Sequence, residues 1–323
     1  MSKDSKQEDN FMDTANSVKG TDTANINWAD ILSEILESVK QKKSLVLYGP
    51  PGTGKTRIVY ELLEKLKQEK LLGKFESVQF HHKFGYEDFI EGYVPNAKGG
   101  FEKRNGIFKK FISNPSDENK LDVFFIDEIN RADLTTTFGE LLFLMDDRDE
   151  RKVRTSHFDD EISLPTNTVI IGTMNTADRN IAVVDFALRR RFRFIPLFTD
   201  YNVLLEVVSS RDFKDGDIEP EDYVRTAKVI NQRIGENRLM GRHMELGHAM
   251  WFPGGTGSIS DQDLLDLFRF TILPQLEAYC GYGYEHQMKT ILNENVASLY
   301  LTSKQVEFDD IKGLIKDIAN KAS

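Results

Sequence analysis

A thirteen-residue run, Ser44-Leu45-Val46-Leu47-Tyr48-Gly49-Pro50-Pro51-Gly52-Thr53-Gly54-Lys55-Thr56, narrows the possible folds of this chain more than any other stretch. A short apolar segment enters a loop of the form G-x-x-x-x-G-K-T, and Ile58, Val59, Leu62, Leu63 and Leu66 follow at helical spacing. Strand, glycine-rich loop and helix in that order describe a phosphate-binding loop. Gly49, Pro50, Pro51, Gly52, Thr53 and Gly54 supply a backbone that folds its N–H groups around phosphate oxygens with no bulky side chain in the way. The helix starts inside the motif and points its positive dipole end at the same anion. Lys55 is placed to reach the β- and γ-phosphates, and the Thr56 hydroxyl is placed to ligate Mg²⁺.

A second chemical centre lies about 70 residues further on, at Asp122-Val123-Phe124-Phe125-Ile126-Asp127-Glu128. An apolar run ending in two carboxylates reads as a buried parallel strand with its acids at the C-terminal edge, where such sheets bind ligands. Phosphoryl transfer to water needs a metal held and a water oriented. Asp127 suits the first task and Glu128 the second. Another buried strand, Thr168 to Thr173, ends at Met174-Asn175-Thr176-Ala177-Asp178. Beyond it, Val184 to Phe192 carries Arg189, Arg190 and Arg191 beside apolar anchors. In a chain with a nucleotide site these are candidate arginine fingers for a neighbouring subunit.

The rest of the chain fits around these centres. Residues 1–25 are polar and read as a disordered tail. Trp28, Ile31, Leu32, Ile35 and Leu36 predict a packing helix to about Val39, and Phe75 to Phe80 predicts a strand. The stretch from His81 to Phe111 is dense in aromatics and glycines. His81 and His82 are adjacent, so in extended backbone they face opposite ways and make a poor metal pair. Lys98, Lys103, Arg104, Lys109 and Lys110 form a local basic patch that reads as a solvated loop, with a nucleic-acid contact as the alternative. Leu134, Phe138, Leu141, Leu142 and Met145 predict one helix, and Val153 to Pro165 a polar hairpin.

Composition excludes several functions. A net charge of −10 leaves no broad basic face for gripping DNA. The single cysteine, Cys280, rules out an internal disulfide or a cysteine-zinc cluster and suits a reducing cytoplasm. No apolar stretch approaches membrane-spanning length, and no signal-peptide core opens the chain. Glu118-Asn119-Lys120 has the E-x-K form of metal-dependent nucleases, but it sits in a polar loop with no upstream metal-binding aspartate.

The order of motifs resembles an AAA+ ring ATPase, and their wording resembles the McrB family, GTP-using motors of modification-dependent restriction systems. The matching stretches are Gly49 to Thr56, Tyr86 to Tyr93, Ile126 to Ala132, Gly172 to Arg179 and Ala182 to Phe192. Gly247-His248 through Trp251-Phe252, and Ile272 to Glu277, echo the family's lid, so the likeness covers roughly residues 26–300. It implies an α/β fold: an AAA+ P-loop NTPase with a five-stranded parallel sheet and flanking helices at 26–198, then a helical lid and C-terminal helices at 199–323. It also implies that Asn175 is the polar sensor facing the γ-phosphate or the attacking water, with Asp178 on the nucleotide-binding side. Arg190 and Arg191 match arginines that act across the subunit boundary, and the hairpin near 153–165 matches an insertion facing the pore. Arg242 is a candidate second sensor whose spacing fits poorly.

The implied cofactors are GTP (or ATP) and Mg²⁺. The implied partners are further copies in a ring, a hexamer, and a separate McrC-like nuclease subunit, with DNA reached through the complex and defence against foreign or modified DNA as the outcome. Two departures stand out. Only the polar tail precedes the core, where DNA-reading members carry a separate N-terminal domain, so this chain is not expected to read DNA alone. The Asn-Lys-x-Asp guanine reader of small G proteins is absent, since Asn320-Lys321-Ala322-Ser323 lacks the aspartate. A MoxR-like ATPase that remodels protein partners is the alternative.

Overall fold

In a computed structural model of the chain, residues 28–97, 99–146, 151–178, 186–214, 218–255, 257–281, 284–302 and 304–321 are described. The expectations for the tail at 1–25, for Lys98, Arg179, Ala182 to Asp185, and for Ala322 and Ser323 lie outside these residues.

Along the chain, α1 (Trp28–Lys40) leads to β1 (Leu45–Gly49), α2 (Lys55–Gln68) and β2 (Leu72–Gln79). The aromatic stretch forms α3 (Tyr86–Phe89), an antiparallel hairpin of β3 (Glu91–Pro95) and β4 (Phe101–Asn105), and α4 (Ile107–Ile112). Then come β5 (Leu121–Asp127), α5 (Leu134–Phe138), α6 (Leu141–Asp146), and the short pair β6 (Val153–Arg154) and β7 (Glu161–Ile162). Strand β8 (Thr168–Asn175), α7 (Phe186–Arg189) and β9 (Arg193–Pro196) follow. The main sheet has the order β2-β5-β8-β1-β9, and every pairing in it is parallel.

Residue alternation explains why this sheet is covered on both faces. Leu45, Leu47, Val123, Phe125, Val169 and Ile171 point to one side, where α1 and α2 bury Ile35, Val39, Ile58, Leu62 and Leu66. Val46, Phe124, Ile126, Ile170 and Met174 point to the other, against α3 to α6. Successive strand residues face opposite ways, so a strand covered on both sides is apolar on both, as β5 is from Val123 to Ile126. Phe89 centres the second layer, with ring centroids 4.9 Å from Phe108, 5.0 Å from Phe138 and 5.9 Å from Phe124.

Three sequence expectations need revision. The single helix expected through Leu134 and Met145 is two, broken at Gly139, whose φ of +48° is left-handed. A Cβ there would stand 2.8 Å from the Tyr86 ring, and the Tyr86 hydroxyl donates to Glu140 at 3.0 Å just beyond. Strand β2 begins at Leu72, three residues before Phe75, because Leu72 registers with Leu121 across a bulge. The basic patch is not uniformly solvated: the Lys109 side chain is only 6% exposed, salt-bridged to fully buried Glu91 and to Asp160 at 2.6 Å. Glu91 also accepts from the backbone N–H groups of His157 (3.2 Å) and Phe158 (2.8 Å), which anchors the β6–β7 turn onto β3.

Beyond Pro196 the described chain is helical: α8 (Tyr201–Ser209), α9 (Pro220–Glu236), α10 (Asp261–Leu267), α11 (Leu273–Cys280), α12 (Tyr284–Ile291), α13 (Glu294–Leu301) and α14 (Phe308–Lys321). These helices share one apolar cluster around Tyr223, Trp251 and Phe268. Among the described residues no helix is long and apolar enough to cross a membrane.

Candidate nucleotide site

The loop after β1 has the conformation its glycines permit. Gly52 (φ +76°) and Gly54 (φ +78°) are left-handed, and a Cβ on Gly49 would stand 1.9 Å from the Leu197 carbonyl oxygen. Gly54 caps α2, so the first turn of that helix opens at the loop. Four successive carbonyls are engaged. The Lys55 ammonium donates to Gly49 O (2.9 Å) and Pro50 O (2.6 Å), while Gly247 N donates to Pro51 O (3.0 Å) and Ala249 N to Gly52 O (2.9 Å). Burial brings the Lys55 pKa down to about 8, against the pull of Glu128 and Asp127.

The C-terminal ends of β5 and β8 bring the other groups to the same edge. Thr173 donates its hydroxyl hydrogen to Asp127 Oδ1 at 2.5 Å and accepts from Glu128 N at 3.1 Å, while Thr56 Oγ1 lies 3.4 Å from Asp127 Oδ1. Glu128 stands just off the strand at φ +53°, a left-handed conformation rare for a residue with a side chain. Its pKa is raised, chiefly by burial, with Arg131 the strongest opposing influence. Asn175 ends β8 in register with Gly49, and its Oδ1 accepts from Ala177 N at 3.2 Å. Asp178 is tied in through Arg131, whose Nη2 is 3.5 Å from Asp178 Oδ2.

The sequence reading did not assign Arg131 a role, nor foresee the contact between Trp28 and His248. Trp28 stands edge-on to His248 with centroids 6.2 Å apart, and a Cβ on Gly54 would touch both. Burial lowers the His248 pKa to about 4, so its ring is neutral near pH 7. Beside them a cavity of about 520 Å³ is lined by Trp28, Arg57, Asp200, Asn202, Val203 and His248. Thr176 reaches the C-terminal part too, donating to His243 O at 3.0 Å. Arg242 lies over the Phe198 ring at 4.1 Å and pairs with Glu245 at 3.4 Å.

Arg190 and Arg191 stand apart from this cluster. Arg193 registers with Leu45, at the opposite end of β1 from Gly49, and a strand rises about 3.3 Å per residue, so about 13 Å separates that edge from the loop. Both arginines pair with Asp146. The Arg191 side chain is 6% exposed and that of Arg190 is 66% exposed, 3.5 Å from the acid. Of the two, only Arg190 is open to a second molecule.

A glycine loop opening a helix, an acid pair at the end of a neighbouring strand and a polar residue ending the strand between them define an AAA+ P-loop protein. The AAA domain family (dynein-related subfamily) matches residues 44–192. The "Type IV methyl-directed restriction enzyme EcoKMcrB subunit" of Escherichia coli (strain K12) is 38% identical over 77% of this chain, a stretch spanning 56% of the subunit's own length. The "Type II restriction enzyme BsuMI component YdiS" of Bacillus subtilis (strain 168) is 24% identical over 64% of this chain and 79% of its own length. The chain is a McrB-like AAA+ protein.

Proposed function

We propose that the chain is a Mg²⁺-dependent nucleoside-triphosphatase, using GTP in preference to ATP, that works as the motor of a restriction system. The observation that carries this reading is the convergence of Lys55, Thr56, Asp127, Glu128 and Asn175 on one sheet edge. A protein that only bound nucleotide would need no water-orienting carboxylate beside its phosphate lysine. Lys55 exchanges its loop carbonyls for the β- and γ-phosphates, Glu128 polarises the attacking water, and Asn175 faces the reacting phosphate. The Thr56 hydroxyl and Asp127 carboxylate are neighbouring hard oxygens, the donor set that suits Mg²⁺ alongside phosphate oxygens. Bound there, the ion would neutralise charge on the β- and γ-oxygens.

The names of the two relatives support a place in a restriction system with separate subunits. On this reading residues 26–198 form the nucleotide-binding core and 199–323 the lid. Copies assemble in the cytoplasm as a ring of six, Arg190 completes the neighbour's site, and a McrC-like nuclease docks through the pore near 153–165. DNA is met through that complex, since a net charge of −10 gives the chain alone little hold on a duplex.

Hydrolysis of GTP and ATP at equal concentration, with Glu128→Gln as control, tests the proposal. GTP is expected to turn over faster, with activity lost in the variant. A clear ATP preference would move the chain toward the MoxR-like reading or toward an ATP-using branch of the McrB-like proteins. DNA cleavage by the purified chain with Mg²⁺ and GTP that survives Glu128→Gln would end the division of labour between motor and nuclease.

A further inference from the structure

At the edge of the sheet opposite the phosphate loop lies a cavity of about 450 Å³ whose lining includes Lys42, Lys43, Arg190, Arg191 and Arg193, and no carboxylate among the described residues. The fold concentrates these cations. Lys42 adopts a left-handed conformation (φ +58°) in the turn that ends α1, with Lys42 N donating to Val39 O and Lys43 N to Ser38 O, so both lysines leave the turn together. Arg193 enters from β9, held by Ser38 Oγ at 2.9 Å and Glu34 at 2.7 Å. Arg191 is held by Asp146 from behind, while Arg190 and both lysines are exposed.

Arg191 and Arg193 already have carboxylate partners in Asp146 and Glu34, whereas Arg190, 3.5 Å from Asp146, is exposed beside two exposed lysines, and guanidinium and ammonium groups together are phosphate ligands. The chain's own phosphate loop is at the wrong edge, about 13 Å along β1. We propose that Lys42 and Lys43 join Arg190 in gripping the terminal phosphates of a nucleoside triphosphate held by a second copy of this chain. The inference rests on the trans role given to Arg190 above and extends it to residues outside the arginine run.

The test uses the full chain carrying Lys42→Ala/Lys43→Ala, Arg190→Ala or Lys55→Ala. The double-lysine variant is expected to bind a fluorescent GTP analogue like the parent yet lose turnover tenfold or more. Mixing it with Lys55→Ala should restore part of the rate, because one copy supplies the loop and the other the lysines. Lys42→Arg/Lys43→Arg, which keeps both charges, should stay near the parental rate. Parental turnover in the double-lysine variant while Arg190→Ala is inactive would overturn the inference and leave the ring reading standing. Loss without rescue by Lys55→Ala, where Arg190→Ala is rescued, would overturn it too, placing the lysines in their own subunit's folding or site. Parental turnover in both variants would remove the trans reading and this inference together. Saturable tripolyphosphate binding by unassembled Lys55→Ala chains, lost when the lysines are also removed, would reassign the cavity to a free anion.

Discussion

The Nε of Arg131 lies 3.5 Å from Oε2 of Glu128. Its other arm is 3.5 Å from Asp178, so one guanidinium spans the end of β5 and the loop after β8. The strand that leads into Glu128 and the strand that ends at Asn175 are thereby linked by charge as well as by their ladder. Opposite charge nearby favours the ionised form of a carboxylate, the form that the role proposed for Glu128 requires.

Removing that guanidinium should therefore move the pH profile of hydrolysis. Burial already raises the Glu128 pKa, and Arg131 is the largest influence holding it down. Activity falls as pH drops through that pKa, so Arg131→Gln should shift the acid limb of kcat to higher pH. Arg131→Lys, which keeps the charge, should shift it less. An acid limb identical in parent and Arg131→Gln would separate Arg131 from Glu128.

Lys55 gives the binding step its own pH signature. With a pKa of about 8 in the nucleotide-free chain, it is charged at pH 7 and largely neutral by pH 9. Phosphates require the charged form, so binding above pH 8 must take up a proton, and Kd should weaken by up to about tenfold per pH unit. Titrations of a non-hydrolysable analogue from pH 7 to 9.5 read this directly. Lys55→Ala should bind poorly at every pH.

Glu128→Gln keeps the shape of the site and removes the proposed base. General-base catalysis contributes about 10²–10⁴ in rate, so turnover should fall by that order while nucleotide affinity stays near the parental value. Single-turnover experiments should show triphosphate retained on the protein. Equal hydrolysis by the variant and the parent would remove Glu128 from the mechanism.

These motifs were legible because each is contiguous and its residue types admit few other jobs. Gly49 to Thr56 announces its loop, and an apolar run ending in Asp127-Glu128 announces a buried strand edge. Arg131 was within a recognised stretch, but its two carboxylates come from different strands, and only packing brings them together. Trp28 and His248 are about 220 residues apart, and they too meet only through packing. The break at Gly139 stayed hidden because α5 and α6 present the same apolar face, which preserves the helical period across the kink. Lys109 resembled its solvated neighbours since nothing local reveals that Glu91 is buried beside it.

That buried pair should matter to stability. Lys109→Ala leaves the Glu91 carboxylate buried without its ammonium, a change that costs about 3–5 kcal/mol in comparable cases. Urea melts should show the loss, and Glu91→Gln/Lys109→Met should show a smaller one. Burial alone would raise the Glu91 pKa, but hydrogen bonds from Lys109, Thr155 and Phe158 N outweigh it and hold the carboxyl below its usual range. Stability from this residue is therefore complete above the usual carboxylate pKa and lost as pH falls through the lower folded value. Without Lys109 that loss should begin at higher pH. Amide exchange at Phe158 should accelerate in the same variant, since its N–H donates to Glu91.

The row of occupied carbonyls from Gly49 to Gly52 has a thermodynamic consequence of its own. Two of them are held by amides from the segment at Gly247 and Ala249, which no phosphate displaces. The loop is immobilised before any ligand arrives, and ordering entropy that a floppy loop would surrender on binding has been given up during folding. Association should then resemble entry into a finished socket, with fast capture and a heat dominated by the phosphate contacts. It also makes the socket's shape a property of residues two hundred positions away, so that any displacement of the Gly247 segment is felt as a change in grip on the nucleotide.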